Sequence, residues 1–362
     1  MMRGNDRTDA FRSDERRAIV TTHELELIEA VDLCTPDGAS LNPAARGWSR
    51  RPLHRANLHG RFGENKRWDY WAILAGDLVV SAVYADLDNF GLADVYWVDL
   101  TTGEAGGHGI VVGGAGGMEL PERPGTAPLL VDRDGLVLRM VDDERGTRLS
   151  AAWTEHDGRP GRLDVMIDLP TGHESLNVVI PWSDELFNFT SKQQARPATG
   201  ELVVGDRRWA IGRPGGAESW GVLDVGRGRW PAEIAWNWGG GAGRCGDHVV
   251  GLQLGAKWTE GTGFTENGLI VDGRLSKLGS ELRWDYDWDE PMKPWHVEDP
   301  GGQLDVVLTP RFDKHSELDG GDRGSETHQV FGTWSGRLLT DDGLALELDG
   351  LQGFAEEARQ RW

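Results

Sequence analysis

Carboxylates set among tryptophans are the residues of this 362-residue chain whose types and spacing could do chemistry. The run Asp224-Val225-Gly226-Arg227-Gly228-Arg229-Trp230 brings a carboxylate, two guanidinium groups and an indole together just before Trp236-Asn237-Trp238. In a strand, residues 236 and 238 point to one side, so their indoles would form a wall with Asn237 behind it. Apolar walls raise the pKa of a carboxylic acid towards neutrality, where it can donate a proton. Arg227 would either orient Asp224 for that task or simply pair with it. Glu266, in Thr265-Glu266-Asn267 ahead of Leu269-Ile270-Val271, stands at the start of a strand, where barrel rims carry functional groups and ordinary solvated ones alike. Earlier in the chain, Lys66-Arg67-Trp68-Asp69-Tyr70-Trp71 combines one carboxylate with three aromatic rings. Asp224 and Glu266 are therefore the candidate catalytic acids. Trp68, Asp69, Tyr70, Trp71, Arg227, Trp236, Asn237 and Trp238 are the candidate ligand-binding residues.

Other chemistries lack their signatures. The glycine run Gly113-Gly114-Ala115-Gly116-Gly117 follows a strand-like Ile110-Val111-Val112 but has no Gly-x-Gly-x-x-Gly register, and Pro121 stops any helix after it, so it reads as a loop. No Gly-x-Ser-x-Gly elbow, phosphate-binding Gly-Lys-Ser/Thr loop or His-Glu-x-x-His is present. The ten histidines are scattered, so the expectation is no metal and no cofactor. Cys34 and Cys245 stand alone and far apart, which indicates neither a disulfide framework nor a thiolate zinc site and fits a reducing compartment. A net charge of −21 repels nucleic-acid phosphates and anionic membrane surfaces, which excludes nucleic-acid partners. Met1 to Arg17 is charged and lacks the apolar core of a signal peptide, and no stretch approaches the ~18 apolar residues of a membrane span. The expected location is the cytoplasm, the expected partner an apolar small molecule, and the oligomeric state is not legible.

The elements that must position these residues are strands. Seven Asp-Gly pairs, at Asp37, Asp134, Asp157, Asp272, Asp319, Asp342 and Asp349, punctuate the chain, and several sit between short runs of alternating apolar residues. Leu129-Leu130-Val131 and Leu136, Leu138, Met140 flank one such turn; Leu149, Ala151, Trp153 and Leu163, Val165, Ile167, Leu169 flank the next. Trp334 to Leu339 and Leu344, Leu346, Leu348 make a third hairpin. The 51 glycines suit tight turns and close backbone approaches, and the 17 tryptophans must fill cores or a binding surface. Helix signals are confined to a stretch capped by Ser13 and running through Asp14, Glu15 and Arg16 towards Ile19, and to Phe354–Arg359. An internal duplication organises the rest. Trp68 to Trp71, Gly76-Asp77, Leu78 to Val83, Phe90 and Asp94 to Asp99 recur in order as Trp236 to Trp238, Gly246-Asp247, His248 to Leu254, Phe264 and Glu266 to Asp272. At 362 residues two domains are the default. The expectation is an all-β chain with β domains at 25–200 and 201–362, joined near Pro197, Thr199 and Gly200.

Gly47-Trp48-Ser49-Arg50-Arg51-Pro52-Leu53, Lys66 to Trp71, Phe189-Thr190-Ser191-Lys192-Gln193, Asp224 to Trp238, Thr265-Glu266-Asn267, Val330-Phe331-Gly332 and Gly353-Phe354-Ala355-Glu356-Glu357 together resemble the bacterial family called domain of unknown function 2804. The resemblance spans about residues 25 to 362 and carries no activity with it. That family is in turn distantly similar to the lipocalin-like superfamily of carotenoid 1,2-hydratase, tocopherol cyclase and certain pericyclase-type enzymes. The superfamily implies two lipocalin-like β-barrel or sandwich halves in tandem, with the ligand in or between them. In the hydratase group an aspartate near tryptophan is associated with acid chemistry; here Trp220-Gly221-Val222-Leu223-Asp224 approaches that arrangement with a different spacing. Three functions stay open. One is an acid-catalysed lyase or isomerase of hydratase or cyclase type on an isoprenoid-like substrate. The others are a non-catalytic carrier of a hydrophobic ligand and a carbohydrate-binding or carbohydrate-active protein.

Overall fold

The computed structural model describes residues 22–113, 118–212, 218–319 and 324–361. Two curled sheets follow one another along the chain, with thirteen and nine strands. Among the described residues the one helical element is the short turn Pro43–Ala45. The Ser13 helix and the glycine run from Gly114 to Gly117 lie outside the described residues.

Turn chemistry explains how the strands are joined. Asp134 and Gly135 both take positive φ (50° and 83°) between Leu129–Arg133 and Leu136–Asp143, as do Asp272 and Gly273 (50° and 80°) between Asn267–Val271 and Arg274–Leu278. That geometry matches the twist of a two-residue hairpin. Alternation then sets the register: Leu149 faces Met140 and Val165, Ala151 faces Leu138 and Leu163, and all six are buried in the core of the first sheet. The third hairpin also forms, with Leu338 opposite Leu346 and Gly336 opposite Leu348.

The duplication is visible in the hydrogen bonding. The meander Asn65–Ala75, Leu78–Asp86, Phe90–Asp99, Glu104–Gly113 has its counterpart in Glu233–Cys245, His248–Ala256, Asn267–Val271, Arg274–Leu278. In each half the first strand of the meander also pairs with the last strand of that half's sheet, Trp220–Arg229 in one and Ala345–Arg361 in the other. Trp68–Trp71 and Trp236–Trp238 thus occupy corresponding places.

Two local expectations are corrected. Pro197, Thr199 and Gly200 are not a linker: they lie inside the 18-residue strand Phe187–Val204, which pairs with Pro160–Asp168 and with Trp220–Arg229. The turn-like composition there marks an irregularity between Gln193 and Arg196, where Ala195 has a φ of 56°. The hydrogen bonding passes from the first sheet to the second between Arg229 and Glu233. Phe354–Arg359 is not helical either. It is paired on both sides, by Glu233–Cys245 and by Gly324–Leu339, and a strand satisfied along both edges overrides the helix preference of Ala-Glu-Glu-Ala.

Period-two alternation gives each sheet two faces. Trp71 and Ile73 turn into the first half's own core, whereas Ala72 and Leu74 turn towards the second half, where they meet Trp238, Ala242, Phe331 and Phe354. A cavity opens beside this shared apolar layer.

Candidate functional site

The cavity between the halves measures about 380 Å³, within the range of small-molecule sites. Its apolar side is built from Val83, Ala85, Leu87, Phe90 and Leu92 of the first half, with Leu318 of the second at the rim. Five tryptophans, Trp68, Trp230, Trp236, Trp238 and Trp258, line the cavity as well, Trp68 lying directly across the strand pair from Ala85. Trp230 stacks on Trp258 at 5.2 Å and meets Trp68 and Trp236 at 5.5 and 5.7 Å, so the rings hold one another.

Most polar side chains enter from even-numbered strand positions, and Ser325 and Gln329 from odd-numbered positions of Gly324–Leu339. On Phe187–Val204 the entering side chains are Asn188, Thr190 and Lys192; the last lies opposite Asp224 in register. The Lys192 ammonium sits 2.8 Å from Asp224 Oδ1, 3.1 Å from Glu266 Oε2 and 4.6 Å from the Trp238 ring. Burial pulls its pKa down, but the two carboxylates outweigh that and hold it above the ordinary lysine range. Asp224 also accepts hydrogen bonds from Trp68 Nε1 at 3.0 Å and Thr190 Oγ1 at 3.3 Å. Glu266 accepts one from Trp258 Nε1 at 2.7 Å. On the second half, Glu356 Oε1 accepts from Trp236 Nε1 at 2.8 Å and Oε2 from Gln329 Nε2 at 2.9 Å.

Close backbone approaches make room for two of these groups. A Cβ on Gly226 would lie 2.0 Å from Trp68 Cζ2, so the indole reaches Asp224 only because residue 226 has no side chain. Gly255 does the same for Glu266, whose Cγ would be 2.4 Å from a Cβ there.

Desolvation dominates the acid electrostatics. It pushes the Glu266 carboxyl up to about 7, against the opposing pull of Lys192. It pushes Glu356 up to about 7 as well, opposed by the Trp236 hydrogen bond and the more distant Lys192 and Lys314 charges. Two carboxyls poised near neutrality beside a lysine–aspartate pair can give and take protons at physiological pH.

The model of the family described as Domain of unknown function (DUF2804) matches residues 24–362. The chain belongs to that family. No curated protein matches it. Among solved structures the fold is similar to that of kievitone hydratase from Nectria haematococca, at 13% identity and a TM-score of 0.45 over 82% of this chain and 89% of that one. It is also similar to CghA, at 11% identity and a TM-score of 0.42 over 83% and 88% of the two chains.

The structure divides the residues singled out from the sequence. Asp224, Glu266, Trp68, Tyr70, Trp236 and Trp238 line the cavity. Asp69, Trp71, Arg227 and Asn237 do not, because each occupies the alternate position of its strand and points to the other face. Arg227, wholly buried, donates to Asp69 Oδ1 at 2.6 Å and to the Trp68 carbonyl at 2.7 Å, a pairing inside the first half that leaves Asp224 to Lys192. Trp71 packs in that same core, under the Arg196 guanidinium. Asn237 donates to the Tyr286 hydroxyl at 2.9 Å and the Glu356 carbonyl at 3.2 Å.

Sequence reasoning missed Lys192, Glu356, Gln329, Thr190 and Trp258 as members of the site. Lys192, Thr190 and Glu356 fall within motifs that carry the family resemblance, but the burial that singles out Lys192 and Glu356 belongs to the folded strands, since each stands among other polar or charged residues in the sequence.

Proposed function

We propose that this protein is an acid–base enzyme of the lyase or isomerase class, acting on a largely apolar small molecule held between its two halves. The observation that carries the reading is a pair of buried carboxyls, Glu266 and Glu356, both raised to about 7, in one tryptophan-walled cavity. Their environments suit different tasks. Glu356 keeps 7% of its surface exposed and is the acid that meets the substrate, whereas Glu266, at 1%, holds Lys192 in place.

In the proposed reaction the proton on Glu356 passes to one carbon of an electron-rich double bond, whose π pair forms the new C–H bond. The cation left on the neighbouring carbon is stabilised by the indole faces and by Asp224. Return of a proton from an adjacent carbon to the Glu356 carboxylate yields an isomer. Capture of water, with its proton passing to Glu356, yields the hydrated product, and the reverse is a lyase. A positioned general acid of this kind supplies roughly 10²–10⁴-fold in rate.

A second reading, a non-catalytic carrier, is favoured by one feature: both Glu356 oxygens already accept hydrogen bonds from the fold, as a purely structural wall group would. The carbohydrate reading gains nothing comparable, because the faces of Trp230 and Trp258 are stacked on each other at an interplanar angle of 10°.

Native mass spectrometry of the protein purified from its own host names the retained ligand. Incubation of that ligand with wild type and with Glu356→Gln then separates the readings. Conversion by wild type and loss of about 10²-fold or more in the variant supports the enzyme. A ligand retained but unchanged by wild type supports the carrier, and equal turnover by both removes Glu356 from the chemistry.

A further inference from the structure

The histidines have no ligand spacing along the chain, but the register of Leu304–Asp319 and Gly324–Leu339 sets His315 opposite His328 and Glu317 opposite Glu326. We propose that His315, His328 and Glu326 form a binding site for a zinc-class divalent cation on the face of these strands turned away from the cavity.

Ligand atoms of the three side chains lie within 4.8 Å of one another. His328 is preset for the role: it is 9% exposed, packed edge-on against Trp288 at 4.6 Å, and its Nδ1 lies 2.8 Å from Asp313 Oδ2. A carboxylate on Nδ1 holds the N–H there and leaves the Nε2 lone pair for a metal, the usual outer-shell arrangement of a ligating histidine. His315 stacks on His328 at 4.3 Å, and its Nε2 is 3.3 Å from Glu326 Oε1. The stacked rings cannot both ligate one ion as they stand, so metal binding requires the exposed His315 ring to leave the stack by rotation about χ2. Two imidazoles and one carboxylate, with a fourth position open to water, suit zinc and, by ordinary affinity order, copper and nickel; calcium and magnesium prefer all-oxygen sites. Glu317, on the same face by register, adds negative charge around it, whereas Glu357 is already paired with Lys257 and with Arg359, which lies opposite Glu326.

Alternate residues of the same strand, Ser325 and Gln329, line the cavity. A cation here would therefore clamp strands that form part of the cavity wall, and its binding stands independently of the proposed reaction.

The test is thermal unfolding and calorimetric titration of the full chain, stripped with EDTA, against zinc chloride, with magnesium chloride as control. The expected result is one zinc per chain and, at a hundredfold excess over Kd, a rise in Tm of about 4 °C that EDTA reverses. His315→Ala, at an exposed position that leaves the fold intact, and His328→Ala should each weaken zinc binding at least tenfold, and cobalt(II) should show tetrahedral absorption bands in wild type only. No zinc-dependent rise, or a rise of equal size in His315→Ala and His328→Ala, would overturn the assignment.

Discussion

Replacing Glu356 by glutamine tests the electrostatics of the cavity without needing the substrate. A carboxyl whose pKa is raised on folding, from 4.5 to about 7, binds its proton more tightly in the native state than in the unfolded chain. The sign follows: the stabilising proton uptake is complete below about 4.5 and is lost as pH rises through about 7. At about 1.4 kcal/mol per pH unit over that interval, ionised Glu356 costs the native state about 3 kcal/mol at pH ~8. Glutamine is neutral throughout. Its oxygen still accepts from Trp236 Nε1, and Gln329 can turn its carboxamide over to accept from the new amide. Urea unfolding of wild type and Glu356→Gln at a series of pH values should therefore show near-equal stability at pH ~4 and a variant more stable by about 3 kcal/mol at pH ~8. Taking the difference at each pH cancels the other titrating groups the two proteins share. A difference that stays flat between pH ~4.5 and ~8 would refute the claim that burial governs this carboxyl.

Three further outcomes follow from the same geometry. Lys192→Met leaves Asp224 and Glu266 together without their cation and should lower stability by about 3–5 kcal/mol at pH ~8, with a smaller loss at pH ~5 where Glu266 can take up a proton; urea midpoints at the two pH values check this. Asp69→Asn strands the buried Arg227 guanidinium and should lower stability by about 3–5 kcal/mol while leaving retention of the cavity ligand unchanged by native mass spectrometry, since neither residue lines the cavity. Gly226→Ala drives a Cβ into Trp68, so it should cost about 1–3 kcal/mol and alter the near-ultraviolet circular dichroism of the tryptophan cluster; an unchanged spectrum would mean that Trp68 is not held over Gly226.

If Glu356 is the acid, the rate of the proposed reaction should fall as pH rises through about 7, as the donor loses its proton. A rate that instead climbs through that range would assign Glu356 the part of base.

Local chemistry made much of the fold legible. The Asp-Gly turns at Asp134 and Asp272 demand positive φ, and alternation of Leu149, Ala151 and Trp153 demands one buried face, so strands, turns and hairpin registers follow from residues a few positions apart. The shared side of Trp236 and Trp238 followed from the same rule. That rule also separates Trp68 and Tyr70 from Asp69 and Trp71, and Asp224 from Arg227, but alternation alone does not say which face meets the ligand. That choice was made by the second half of the chain, which packs on the even-numbered face of Asn65–Ala75 and leaves the odd-numbered face to the first half's own core. The site was decided by the same long-range packing. Lys192 meets Glu266 from 74 positions away, and Trp236 meets Glu356 from 120. The raised carboxyl pKa values arise from water excluded where two sheets close over these groups, a property of the assembled layers that no single segment contains.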